Sequence, residues 1–172
     1  MNRKFFALLL TLLMVLALVP ASAYADTSKN SGKEIAVLFT NDVHCAVDKN
    51  LGYQSVALAK ETLEAQGKDV LLVDVGDAVQ GDAIGTLSKG EYIIKIMNEL
   101  GYDVATIGNH EFDYGMDQFK KLNRLADFPY VSANFMDKNG ETVLDAYSMQ
   151  NVHGVKIAFV GVTTPKTITS ST

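Results

Sequence analysis

Apolar residues are laid out along this chain in two alternating rhythms. Residues 35–39 (Ile-Ala-Val-Leu-Phe) form an unbroken apolar run of strand length, the pattern of a strand covered on both faces. Thr40-Asn41-Asp42-Val43-His44-Cys45 follows as the loop at its C-terminal end. Over residues 53–66 the spacing becomes helical. Val56, Ala59 and Leu63 share one face, with Lys60, Glu61 and Glu64 largely off it, and Gly67 is placed to cap the C-terminus. Residues 70–75 read as a second buried strand, and Gly76-Asp77 opens a glycine-dotted loop that runs to Gly90.

The alternation then repeats. In residues 91–100, Ile93, Ile96, Met97 and Leu100 keep the i, i+3, i+4, i+7 spacing of a helix, and Gly101 ends it. A third strand, 104–107, leads into Gly108-Asn109-His110-Glu111-Phe112-Asp113-Tyr114-Gly115. Phe119, Leu122 and Ala126 mark another helix, stopped at Phe128-Pro129. Residues 130–136 read as a fourth strand that enters a turn at 137–140. Residues 147–152 and 155–163 flank His153-Gly154, the signature of a two-residue hairpin turn. Strand and helix alternate three times before the strands take over. This is an α/β pattern with a parallel sheet, continued by antiparallel strands. The loops carrying Asp42, Asp77 and Asn109 each follow a strand, so all three are expected along one edge of the sheet, where open α/β sheets bind their ligands.

The first 25 residues read as a separate piece. Arg3 and Lys4 precede an apolar run over 5–19, broken only by Thr11. Pro20 and Ala21-Ser22-Ala23-Tyr24-Ala25 close it. This is the layout of a secretory signal peptide cut after Ala25. A stable membrane anchor is the competing reading, but the run is short for a bilayer span. Residues 26–33 are a polar linker, leaving 34–172 as the folded part of a secreted, periplasmic or cell-surface protein. Without the signal peptide the chain has 13 basic and 20 acidic residues, a net charge of about −7. That charge argues against general binding to nucleic acid, and an anionic substrate would need a local positive centre. The single cysteine, Cys45, excludes an internal disulfide.

The three loops hold that centre's raw material. In an extended Asp42-Val43-His44, residues two apart point the same way and can grip one ion. Asp77, after a strand and a glycine, can bridge two ions, one oxygen to each, although Gly-Asp is also a common turn. Asn109 offers a neutral oxygen. His110, where it is not itself a ligand, could protonate a leaving oxygen, with Asp113 three residues later to orient the ring. Two neighbouring ions can polarise a phosphoryl group and activate a water held in line with it.

Asp-x-His, Gly-Asp and Gly-Asn-His-Glu, in this order, resemble the signature of the calcineurin-like metallophosphoesterases. The longer stretches Val73-Asp74-Val75-Gly76-Asp77 and Gly108 to Gly115 resemble its secreted 5′-nucleotidase branch. The resemblance runs from about Ile35 to Pro165. It implies a four-layered αββα metallophosphatase domain, incomplete at its C-terminal side. It also implies a dinuclear centre of divalent ions such as Mn²⁺ or Zn²⁺. By it, Asp42 and His44 hold the first ion, Asp77 bridges, Asn109 holds the second, and His110 with Asp113 acts in catalysis. The implied substrate is a nucleotide or another small phosphoester.

The family completes its site with distal histidines, one in a later loop and others in a Gly-His-x-His element. This chain has three histidines; His44 and His110 are assigned and His153 falls in the hairpin turn. The expectation is therefore the first half of a larger enzyme, with an incomplete two-metal site and no C-terminal nucleotide-binding domain. The alternative is a non-catalytic metal- or ligand-binding remnant. Among enzymes, cyclic-nucleotide phosphodiesterase, sugar-nucleotide hydrolase and sulfur-ester hydrolase stay open. Cys45 is expected as a small packing residue, Asp82 as surface charge, and Glu111 as a support for the ligands. Tyr92, Tyr102 and Tyr114 are expected in core or rim packing.

Overall fold

The structure, a computed structural model, describes residues 32–49 and 51–165. The expected signal peptide, the linker up to residue 31 and the end of the polar tail lie outside these residues. Among the described residues, no helix is long and apolar enough to cross a membrane.

Four parallel strands form the sheet, in the order β1 (Ile35–Thr40), β2 (Asp69–Asp74), β3 (Val104–Thr106) and β4 (Tyr130–Val131). Between them run α1 (Tyr53–Ala65), α2 (Ala83–Ser88), α3 (Glu91–Leu100) and α4 (Met116–Leu125). The antiparallel hairpin of β5 (Tyr147–Val152) and β6 (Val155–Val160) forms a separate two-stranded sheet. Its turn residues His153 and Gly154 both have positive φ, 50° and 86°, which gives the type I′ geometry that matches strand twist.

Helix ends fall where the glycines are. Gly67 (φ 83°) follows α1 and its N–H bonds the Glu64 carbonyl at 2.8 Å. Gly101 (φ 69°) closes α3. Both positions need left-handed backbone, which costs glycine little. The apolar faces of α3 and α4 then meet the sheet in one core, built around Leu72, Ala105, Ile93, Ile94, Met97, Phe119, Leu122 and Tyr130. Each fully buried aliphatic side chain of this kind is worth roughly 1.5–3 kcal/mol.

Three expectations change. The loop predicted from Gly76 to Gly90 contains α2, a short helix whose sequence Ala-Ile-Gly-Thr-Leu-Ser has no clear helical face. It is held there by tertiary packing: a Cβ on Gly85 would sit 2.1 Å from Cys45 Sγ. The fourth strand keeps only Tyr130–Val131, because beyond it Ser132 and Ala133 bond Asp145 and Gly161 rather than a sheet neighbour. Finally, β1 is covered on one face only. Leu38 packs against the core, while Val37 and Phe39 are 48% and 71% exposed. An apolar run reports a strand, but not what covers its second face.

Candidate metal centre

The site is built on the C-terminal ends of β1, β2 and β3. The first two loops run side by side beyond the strands. Asp42 N–H donates to Gly76 O (3.1 Å), His44 N–H to Asp77 O (3.0 Å) and Cys45 N–H to Ala78 O (3.0 Å). The expected extended Asp42-Val43-His44 is not what forms. Asp42, His44, Cys45 and Asp77 all adopt left-handed backbone, with φ of 52°, 47°, 61° and 58°. Non-glycine residues hold such angles only where the surroundings over-determine them, and this commonly happens at functional sites. Asp42 and His44 still face one another, with Oδ1 3.8 Å from Nε2.

The β3 loop closes in from the other side. Gly108 lies so near Asp77 that a Cβ there would be 2.3 Å from Asp77 Oδ1. A single 3-10 turn, His110–Phe112, follows Asn109, and the His110 N–H donates to Asp77 Oδ1 at 2.7 Å. As a result, a ring nitrogen of His44, a carboxylate oxygen of Asp77 and a ring nitrogen of His110 lie within 4.8 Å of one another. Two imidazoles and a carboxylate are a donor set that suits a first-row divalent ion.

Each imidazole is oriented from behind. His44 Nδ1 lies 3.1 Å from the Gln80 carbonyl. A carbonyl only accepts, so Nδ1 carries the hydrogen and Nε2 is left to a ligand; this is the usual support for a metal-binding histidine. His110 Nδ1 lies 2.7 Å from Asp113 Oδ2. Burial works to lower the His110 pKa, but the bond and charge of Asp113, with the charges of Asp77 and Glu111, raise it above the ordinary histidine value. Removing the Asp113 charge should undo this. In metal-free Asp113→Asn, the His110 titration followed by imidazole proton NMR should move to lower pH; an unchanged midpoint would refute the assignment.

Glu111 has more to do than its type suggested. Its carboxylate is buried and accepts three backbone N–H groups, from Asp77 (3.0 Å), Ala78 (2.9 Å) and Gly108 (2.6 Å). It therefore ties the β2 loop to the β3 loop. Burial raises its pKa against these bonds, and the Asp77 charge adds to the rise.

Cys45 is a packing residue, as expected. It is fully buried and donates weakly to Ala78 O, and burial pushes its thiol up to about 12. Asp82 pairs with Lys49 at 3.0 Å on the surface. Tyr102 is a core residue, while Tyr92 is exposed beneath Lys95. His153 is far from the cluster's chemistry in role: it pairs with Asp69 at 2.9 Å.

Relatives share this architecture. The chain is 38% identical over 143 residues to a 5′-nucleotidase of Vibrio vulnificus, covering 78% of this chain and 26% of that protein. It is 35% identical over 153 residues to the snake venom 5′-nucleotidase of Gloydius brevicauda, with the same two shares. Among solved structures it is similar to the calcineurin-like phosphoesterase YfkN of Bacillus subtilis, with a TM-score of 0.68 and 30% identity over 78% of this chain and 50% of that one. The chain thus spans about a quarter of the length of the curated relatives it matches. The family pattern described as calcineurin-like phosphoesterase matches residues 35–168. That match takes in all three loops of the cluster, and this chain belongs to the calcineurin-like phosphoesterase family.

Proposed function

We propose that this chain carries the proximal part of a two-metal phosphoester hydrolase of the 5′-nucleotidase type. The supporting observation is the convergence of His44, Asp77 and His110 within 4.8 Å, from three separate loops. Asp42, His44 and Asp77 would hold one ion, and Asp77 with Asn109 a second. Divalent ions there would draw charge from the phosphoryl oxygens and make a water more acidic.

We assign His110 to proton donation rather than ligation, following the family resemblance, with the Asp113 carboxylate at Nδ1 orienting its ring. With Nδ1 held by Asp113, His110 has Nε2 left to pass a proton to the leaving oxygen of a nucleotide. Asp77 Oδ1 accepts the His110 backbone N–H, which fixes the distance between the proton donor and the bridging carboxylate. The signal-like leader supports export to the periplasm, cell surface or medium.

The ligand count also shapes the expected activity. On this reading the second ion has two oxygen ligands among residues 1–172 and no imidazole, which leaves positions for water or further ligands. The full chain should bind one Mn²⁺ or Zn²⁺ at useful affinity and hydrolyse AMP poorly. Calorimetric titration beside an AMP hydrolysis assay checks this. Asp77→Ala should abolish the remaining binding and His153→Ala should leave it intact. Two tight sites with brisk turnover would overturn the incomplete-site reading, and no metal-dependent heat at all would overturn the metal centre.

A further inference from the structure

Behind the ligand loops lies a buried carboxylate that neither ligation nor proton transfer uses. Thr40 and Asp74 are the last residues of β1 and β2 and are direct partners in the sheet register. Both are buried. Thr40 Oγ1 donates to Asp74 Oδ1 at 2.7 Å. Tyr102 Oη lies 2.9 Å from Thr40 Oγ1; while the threonine hydrogen is given to an ionised Asp74, the tyrosine donates. The other Asp74 oxygen accepts the Gly76 N–H at 3.0 Å. One carboxylate thus receives a hydrogen from the β1 side and another from the turn that carries Asp77.

That turn needs holding. Gly76 and Asp77 are consecutive left-handed residues, with φ of 102° and 58°, and for an aspartate this is a sparsely populated state. Beyond it, the Asp77 N–H donates to Glu111 and its Oδ1 accepts the His110 N–H. A buried carboxylate is costly, and an apolar residue of similar size often gives equal or better stability. An apolar side chain at position 74, however, would leave the Gly76 N–H and the Thr40 hydroxyl without these partners.

We propose that Asp74, braced by Thr40 and Tyr102, is a positioning residue of the metal centre that sets the Gly76-Asp77 turn and so the aim of the Asp77 carboxylate. The proposal rests on the metal-binding reading above. It assigns to Asp74 a role in affinity for the ion, separate from its part in the core. Burial, helped by the charge of Glu111, pushes the Asp74 pKa up to about 7 against the bonds from Thr40 and Gly76. Asparagine is a close mimic on geometry: its carbonyl can accept from Gly76, and its amide can donate to Thr40 Oγ1 once the hydroxyl turns its own hydrogen to Tyr102 Oη.

The test uses the full chain, with Mn²⁺ titrations followed by electron paramagnetic resonance and thermal unfolding in chelator. Asp74→Ala should weaken Mn²⁺ binding by about 10- to 100-fold, the usual range for residues that orient ligands. Asp74→Asn should stay within about threefold of wild type. Thr40→Val keeps the shape of Thr40 but removes the hydroxyl; it should weaken binding several-fold, with Thr40→Ser restoring it. If Asp74→Ala does not fold, the Thr40 pair carries the decision. A lowered melting temperature with unchanged Mn²⁺ affinity in the folded Asp74→Ala and Thr40→Val proteins would overturn the positioning role, leaving Asp74 merely structural. Asp77→Ala is the control. Should it retain full Mn²⁺ binding, the metal centre itself is misplaced and the positioning role falls with it; should it lose binding while Asp74→Ala and Thr40→Val do not, only the positioning role fails.

Discussion

Glu111→Ala is expected to destabilise the fold by about 3–5 kcal/mol, one of the two largest effects expected from a single substitution here. The Glu111 side chain is 1% exposed and fills its two oxygens with backbone N–H groups of Asp77, Ala78 and Gly108. Each donor stranded in the interior costs roughly 1–3 kcal/mol. Some of that is offset, because the carboxylate's own burial penalty disappears and water can enter the space. Glu111→Gln is the sharper variant. Its one carbonyl oxygen can still accept, but its amide nitrogen faces N–H donors, so it should fall between wild type and alanine. Urea unfolding measures both. A Glu111→Ala midpoint equal to wild type would mean that the two loops are held together without this carboxylate.

Gly108→Ala should cost metal binding at least tenfold while taking only about 1–3 kcal/mol from stability. The added methyl would lie 2.3 Å from Asp77 Oδ1, 2.6 Å from its Cγ and 2.9 Å from its backbone nitrogen. The backbone nitrogen cannot swing away, and the carboxylate is short and already bonded to the His110 N–H. Asp77 must therefore shift, carrying its oxygens away from their place within 4.8 Å of the His44 and His110 nitrogens. Calorimetric Mn²⁺ titration beside urea unfolding separates the two effects. Affinity within threefold of wild type would show that Asp77 is not the shared ligand.

Much of this was legible in the sequence, and the reason is locality. Helical spacing at Ile93, Met97 and Leu100, glycines at the ends of α1 and α3, and His153-Gly154 between alternating strands each act within a few residues, so the pattern alone predicts the element. The order of strand, loop and helix likewise placed Asp42, Asp77 and Asn109 on one edge, because parallel strands joined by helices must begin at the same end. Tertiary structure decided the rest. The left-handed backbone of Asp42, His44 and Asp77 depends on bonds between residues more than thirty positions apart, such as His44 N–H to Asp77 O. The three donors to Glu111 come from two loops, so no local pattern reveals that its carboxylate is saturated. The exposure of Val37 and Phe39 depends on what lies across the sheet, whereas their apolar character is the same either way. Residue types and spacing determined which groups could meet at the sheet edge. Only long-range packing determined their distances and orientations, because a ligand's aim is set by the backbone bonds of its neighbours.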